Sequence, residues 1–204
     1  MKGIKNIIFD LGEVLLNIDT RKTNEAFEKL GVRNFKNNYS LNKADELFDN
    51  LERGKVSEPE FFDAIRRISH LQLKDDDIRA AWNALILDFR MESLQHLDTL
   101  KSRYSLYLLS NTNSIHHAAF HRSFTEQTGG RSFDDYFNKA YYSHQTGFRK
   151  PDKEIYDLVL SDAGIVADET LFIDDLLKNI EAAAALGIRT HQLLPEERIE
   201  TMQW

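Results

Sequence analysis

A chain of 204 residues, 42% hydrophobic and 29% charged, is long enough for one sizeable core, or for a core domain carrying a smaller insert. Its net charge of −7 argues against nucleic-acid and anionic-membrane partners, which need a basic patch, while leaving room for a local basic pocket. With no cysteine there is no disulfide, no thiolate nucleophile and no thiolate-held metal, a composition that fits the cytoplasm.

The apolar run Ile7-Ile8-Phe9 ahead of Asp10 is too short for a signal-peptide core, and no stretch approaches the ~18 apolar residues of a membrane helix. Residues 4–9 are apolar and β-rich and read as a fully buried strand that stops at Asp10. Residues 20–30 have helical spacing and end at Gly31, a stop signal. From there to about Arg90 the pattern is helical and amphipathic, with no convincing strand. The turn Glu52-Arg53-Gly54-Lys55 interrupts it, and Ser57 followed by Glu60 marks a new helix start. Phe27, Phe48, Phe61, Phe62 and Trp82 fall at helical spacing and predict the core of this segment.

Strand patterns return at 104–109, more weakly at 137–142, then at 171–173 and 189–194. Helical patterns at 93–101, 115–124, 154–163 and 177–186 alternate with them. Such alternation predicts an α/β fold, a doubly wound parallel sheet with right-handed crossovers. The helical stretch after the first strand predicts an insert, giving a core of 1–16 and 91–204 and an insert of 17–90.

Asp10, Ser110 and the pair Asp174-Asp175 each follow directly on a predicted strand, and Lys150 follows the weaker one after a loop. Open α/β sheets bind ligands at the carboxyl ends of their strands, so side chains this distant in sequence can meet there. A carboxylate at Asp10 can attack phosphorus and form an aspartyl-phosphate. Asp175, with Asp174, suits Mg²⁺, a hard cation that prefers carboxylate oxygens. Ser110 and neighbouring backbone N–H groups can donate to phosphate oxygens, and Lys150 supplies a positive charge. Three carboxylates need such cations, because their mutual repulsion otherwise raises a pKa.

The motifs Phe9-Asp10-Leu11-Gly12, Leu108-Leu109-Ser110-Asn111-Thr112, Arg149-Lys150-Pro151 and Phe172-Ile173-Asp174-Asp175, in this order, resemble those of the haloacid dehalogenase-like superfamily. The resemblance spans residues 4–194 and implies a Rossmann-like core with a four-helix cap at about 17–90. Within the superfamily the chain is most similar to bacterial sugar-phosphate phosphatases of the α-glucose-1-phosphate type. These share the Asp-Leu-Gly, Glu-Arg-Gly and Ser-Asn-Thr sequences. The resemblance implies Asp10 as nucleophile and metal ligand, Gly12 as a carbonyl ligand, and Asp175 as the main Mg²⁺ ligand with a weaker part for Asp174. It gives Ser110 and Asn111 to the phosphoryl group and Lys150 to orienting Asp10 and phosphate. Arg53, in the cap turn, is a candidate specificity residue. The expected reaction is hydrolysis of a small phosphorylated metabolite by a monomer or homodimer, with no nucleic acid or membrane involved.

One position departs from the pattern. Most phosphatases of the superfamily carry a second Asp two residues after the nucleophile as acid and base, and here that position is Gly12. General acid–base catalysis is worth roughly 10²–10⁴ in rate. Either the leaving group needs little protonation, or another group substitutes, Glu13 being nearest, or the phosphoenzyme is long-lived. Phosphotransfer or mutase chemistry, dehalogenation and non-catalytic phosphate binding are the alternative functions. Asn179 is as consistent with a helix hydrogen bond as with support of the site. His116 and His117 lie near the presumed mouth, where a surface helix is the default and substrate contact the sharper reading.

Overall fold

The structure is a computed structural model that describes residues 2–32, 35 and 43–204. The chain runs from strand β1 (Asn6–Phe9) to β2 (Leu16–Ile18) and then through four described helices, α1 (Thr20–Lys29), α2 (Lys43–Glu52), α3 (Glu58–Ser69) and α4 (Asp75–Asn83). It returns through β3 (Ile86–Phe89) to α5 (Met91–Leu100), β4 (Ser105–Ser110), α6 (Ser114–Thr128), β5 (Lys139–Tyr142) and the single turn α7 (Ser143–Thr146). It closes with α8 (Lys153–Ala163), β6 (Thr170–Asp174), α9 (Leu177–Ala184) and β7 (Arg189–Gln192). The helical reading of residues 33, 34 and 36–42 lies outside the described residues.

Five strands form a parallel sheet in the order β5-β4-β1-β6-β7. Side chains alternate across a strand, and both faces are apolar because both are covered. Ile7, Phe9, Leu106, Leu108, Leu171 and Ile173 join Leu94 and Leu97 of α5 and Phe120 and Phe124 of α6 in one cluster. The intervening Ile8, Tyr107, Leu109 and Phe172 join Tyr156 and Val159 of α8 and Ile180 and Ala183 of α9 in another. Helices on both faces make the sheet doubly wound. The first strand lies at its centre, and the connections depart to opposite sides of it, the switch point at which such sheets bind ligands.

The segment between β1 and β4 is less uniformly helical than its pattern predicts. Residues 16–18 and 86–89 pair as antiparallel strands, framed by Asp19 N donating to Leu85 O and Arg90 N to Leu15 O, each at 2.9 Å. Neither strand is legible locally. Leu85-Ile86-Leu87 continues an apolar helical stripe, and only a partner about 70 positions away in sequence makes it extended. The four described helices that follow β2 pack around their own cluster, with Phe27, Phe61, Phe62 and Ile65 buried and Phe48 and Trp82 half-buried against them. Ser57 caps α3 in a reciprocal capping box with Glu60, as its sequence predicts. Among the described residues no helix is long and apolar enough to cross a membrane.

The turn after α2 rests on α7. Gly54 has φ +67°, and a Cβ there would run into the carbonyl oxygen of His144. Gly129, which ends α6 at φ +69°, has open space around it. Ala at Gly129 meets only the backbone cost of the left-handed region, about 1–3 kcal/mol. Gly54→Ala meets that cost and the clash. Urea unfolding should therefore show a larger loss for Gly54→Ala than for Gly129→Ala; equal losses would contradict the close approach.

Candidate active site

The register of the central strands assembles the site. Phe9 lies opposite Leu108 of β4 and Ile173 of β6, so Asp10 comes level with Leu109 and Asp174, one residue short of Ser110 and Asp175. Asp10 N donates to Ile173 O at 2.9 Å and extends the ladder by one bond. Asp10, Ser110, Asp174 and Lys150 are all buried.

Lys150 Nζ lies 2.7 Å from Asp10 Oδ1 and 2.7 Å from Asp174 Oδ2. Asp10 Oδ1 also accepts from Leu11 N at 2.7 Å, while no hydrogen bond holds Oδ2 among the described residues. Asp174 is fully engaged: Oδ1 accepts from Leu176 N at 2.8 Å, and the Asn179 amide donates to both oxygens at 2.9 and 3.1 Å. Asn179 thus supports the site from the first turn of α9. Asp175 is half-buried, and no other side chain hydrogen-bonds to its carboxylate among the described residues. Oxygens of Asp10, Asp174 and Asp175 lie within 4.8 Å of one another, a donor set of hard oxygens suited to a divalent cation.

Burial pushes the Asp10 carboxyl up to about 7, against the opposing pull of Lys150, and the charges of Asp174 and Asp175 add to the rise. Burial alone would lower the Lys150 ammonium; the two carboxylates more than offset it and hold it above its ordinary value. Asp175 is raised too, first by burial and then by Asp174.

The Asn111 and Arg53 side chains are both engaged by other residues of the protein. The Asn111 amide makes a reciprocal pair with the Lys150 main chain, accepting from its N and donating to its O, both at 2.8 Å. Its side chain fixes the turn that carries Lys150, whose peptide bond to Pro151 is cis. Arg53 donates to Asp49 at 2.7 Å and to Asp152 at 2.6 Å, tying the end of α2 to the residue ahead of α8. Arg149 completes that network, 2.8 Å from Asp49 and 3.1 Å from Glu52. Sequence reading missed this network, as it missed Ser143, whose hydroxyl binds both N and O of Thr112 and steadies the loop after β4. Nothing in one sequence pairs such distant charges.

Gly12 lines a cleft together with Ser110, Asn111 and His116. A Cβ at Gly12 would sit 3.2 Å from Ile18. Glu13 takes φ +56°, and its carboxylate accepts from Ile18 N at 3.0 Å and pairs with Arg90 at 2.8 Å. That carboxylate belongs to the β2–β3 junction, which speaks against Glu13 as a stand-in acid. His117 packs edge-on against Tyr142, with ring centroids 4.5 Å apart.

A model of the haloacid dehalogenase-like hydrolases matches residues 4–187. The chain is also 34% identical over 190 residues to the D-ribitol-5-phosphate phosphatase of Bacteroides thetaiotaomicron, covering 93% of this chain and 91% of that one. This protein belongs to the haloacid dehalogenase-like hydrolases. Its fold matches a solved haloacid dehalogenase-family enzyme of B. thetaiotaomicron with a TM-score of 0.92 at 38% identity, covering 98% of each chain. Another solved structure, that of a wild-type family member from the same organism with magnesium and inorganic phosphate, gives 0.89 at 38% identity over 96% of this chain and 97% of that one. The chain is a hydrolase with a Rossmann-like fold.

The raised Asp10 carboxyl has a consequence for stability. Between its unfolded value of 3.8 and about 7, the folded protein holds a proton that the unfolded chain releases. Stability without divalent cations should therefore fall as pH rises across that window. Asp10→Asn should flatten the fall, measured as melting temperature in chelator. Lys150→Ala leaves two buried carboxylates unpaired and should cost roughly 3–5 kcal/mol at neutral pH; a pH-independent wild type, or a neutral Lys150→Ala, would contradict this balance.

Proposed function

We propose that the protein is a Mg²⁺-dependent phosphatase that hydrolyses a small phosphomonoester, of the sugar or polyol phosphate class, through an aspartyl-phosphate on Asp10. The carrying observation is the buried Lys150 held between Asp10 and Asp174, with Asp175 beside them. Its Nζ anchors one oxygen of Asp10 and leaves Oδ2 as the nucleophile. The relative that acts on D-ribitol 5-phosphate supports the substrate class.

Asp10, Asp175 and the Gly12 carbonyl would hold Mg²⁺, with Asp174 near but engaged by Lys150 and Asn179. The ion supplies charge neutralisation for a carboxylate and a phosphate dianion brought together. Asp10 Oδ2 attacks phosphorus, the ester P–O bond breaks, and the departing alkoxide takes its proton from solvent water. Water then attacks the aspartyl-phosphate, releasing inorganic phosphate and restoring the carboxylate. Ser110 Oγ–H and the backbone N–H groups after β4 donate to phosphoryl oxygens, and Lys150 offsets the charge on both partners. Gly12 offers no proton, so leaving groups that need none are turned over best.

Residues 17–90 form the cap on this reading, and the β2–β3 pair joins it to the core. Arg53 and Arg149 hold the Asp49–Gly54 turn against the loop carrying Lys150, which shields the cleft from water. Arg53 acts on specificity through this closure.

An aryl phosphate, whose leaving group needs no proton, tests the proposal. Wild type should hydrolyse it with Mg²⁺ and stop in chelator, and Asp10→Asn should lose roughly 10³-fold or more. Mg²⁺ should raise the melting temperature of wild type and leave that of Asp175→Asn in place. No turnover by folded wild type, or full activity in Asp10→Asn, would overturn the reading.

A further inference from the structure

His116 lines the cleft beside Gly12 and carries a ring nitrogen that the hydrolytic steps do not use. His116 stands in the first turn of α6, and its ring stacks on Trp82 with centroids 4.9 Å apart and planes at 13°. Its Nδ1 lies 2.9 Å from Asn83 Oδ1. An amide oxygen only accepts, so Nδ1 carries the ring proton and donates it. That bond fixes the tautomer and leaves Nε2 as a lone-pair acceptor. Among the described residues Nε2 has no hydrogen-bond partner.

The ring lines the cleft that Ser110, Asn111 and Gly12 also line, and its remaining walls include Leu16, Ile18, Ile86 and Phe120. A cleft with apolar walls and few polar groups orients its ligand through those groups. Burial holds the imidazole down to about 3, so at physiological pH it presents a neutral acceptor and no positive charge. A neutral acceptor repels phosphate oxygens and carbonyls. Its complement is an O–H on the organic part of the ligand.

We propose that His116 is a specificity-determining residue, whose Nε2 accepts a hydrogen bond from a substrate hydroxyl near the phosphoester and so selects polyhydroxylated phosphomonoesters over hydroxyl-free ones. The inference rests on the phosphatase reading and deepens it. Asn83 and Trp82 come from α4 and His116 from α6, so contacts between two helices fix the acceptor. Leaving such an acceptor opposite a substrate without a donor costs affinity for that substrate.

The test uses His116→Phe, which keeps an aromatic ring against Trp82 and removes the acceptor, and His116→Gln, which keeps an acceptor oxygen. With D-ribitol 5-phosphate and an aryl phosphate as probes, the ratio of kcat/KM values, polyol over aryl, should fall about tenfold or more in His116→Phe. The change should lie mainly in KM, and His116→Gln should recover part of it. An unchanged ratio, or equal losses on both probes, overturns the proposal. In the Asp10→Asn protein, which binds without turnover, the ¹⁵N resonance of His116 Nε2 should move toward a hydrogen-bonded value with D-ribitol 5-phosphate and not with the aryl phosphate. A static resonance with the polyol phosphate bound also overturns it. Failure of the phosphatase reading is visible separately, as absence of aryl phosphate turnover by wild type.

Discussion

An ammonium group with almost no access to water sits between two buried carboxylates, and much of the molecule serves to keep it there. Lys150 is 1% exposed and Asp174 is fully enclosed. Either charge alone in that place would cost several kcal/mol, and the pair is tolerable only with good geometry and further hydrogen bonds. Those are supplied from all sides. Asn111 clamps the Lys150 main chain, Asn179 and Leu176 N complete Asp174, and Leu11 N completes Asp10. One positive charge cannot neutralise Asp10, Asp174 and Asp175 together, so the site retains negative charge. That residue of charge favours a divalent cation, and it adds to the burial that does most to raise the Asp10 carboxyl.

The sheet makes this arrangement cheap to hold. Parallel neighbours in strict register bring Asp10 and Asp174 level at the carboxyl edge, where the backbone is fixed by ladder bonds on both sides. Side chains carried by rigid strands lose little further entropy on reaching their places. The β2–β3 pair, with Leu85, supplies what the sheet lacks, a second wall for the cleft. Trp82 and Asn83 meet α6 there, and the Arg53–Asp152 and Arg149–Asp49 pairs fasten the far side. These ion pairs are partly exposed and individually weak, worth about 0–1 kcal/mol each.

What the sequence carries and what it hides divide along physical lines. The α/β alternation, the burial of 7–9, 106–109 and 171–173, and the meeting of Asp10, Lys150 and the Asp174-Asp175 pair were all legible, because each depends on local periodicity plus one topological rule. Strands 16–18 and 86–89 were not, because three or four residues of extended chain have no signature without their partner. Asn111 and Arg53 were expected at the ligand; their main-chain and ion-pair partners at Lys150 and Asp152 come from tertiary contact alone. The tautomer of His116 depends likewise on Asn83, 33 positions away.

The most direct test is acid-quenched mass spectrometry of the protein during steady turnover of an aryl phosphate with Mg²⁺. A phosphoryl group is expected on the peptide that carries Asp10, and none in Asp10→Asn. Product formation with no phosphopeptide, or a phosphoryl group on any other residue, would contradict Asp10 as the nucleophile.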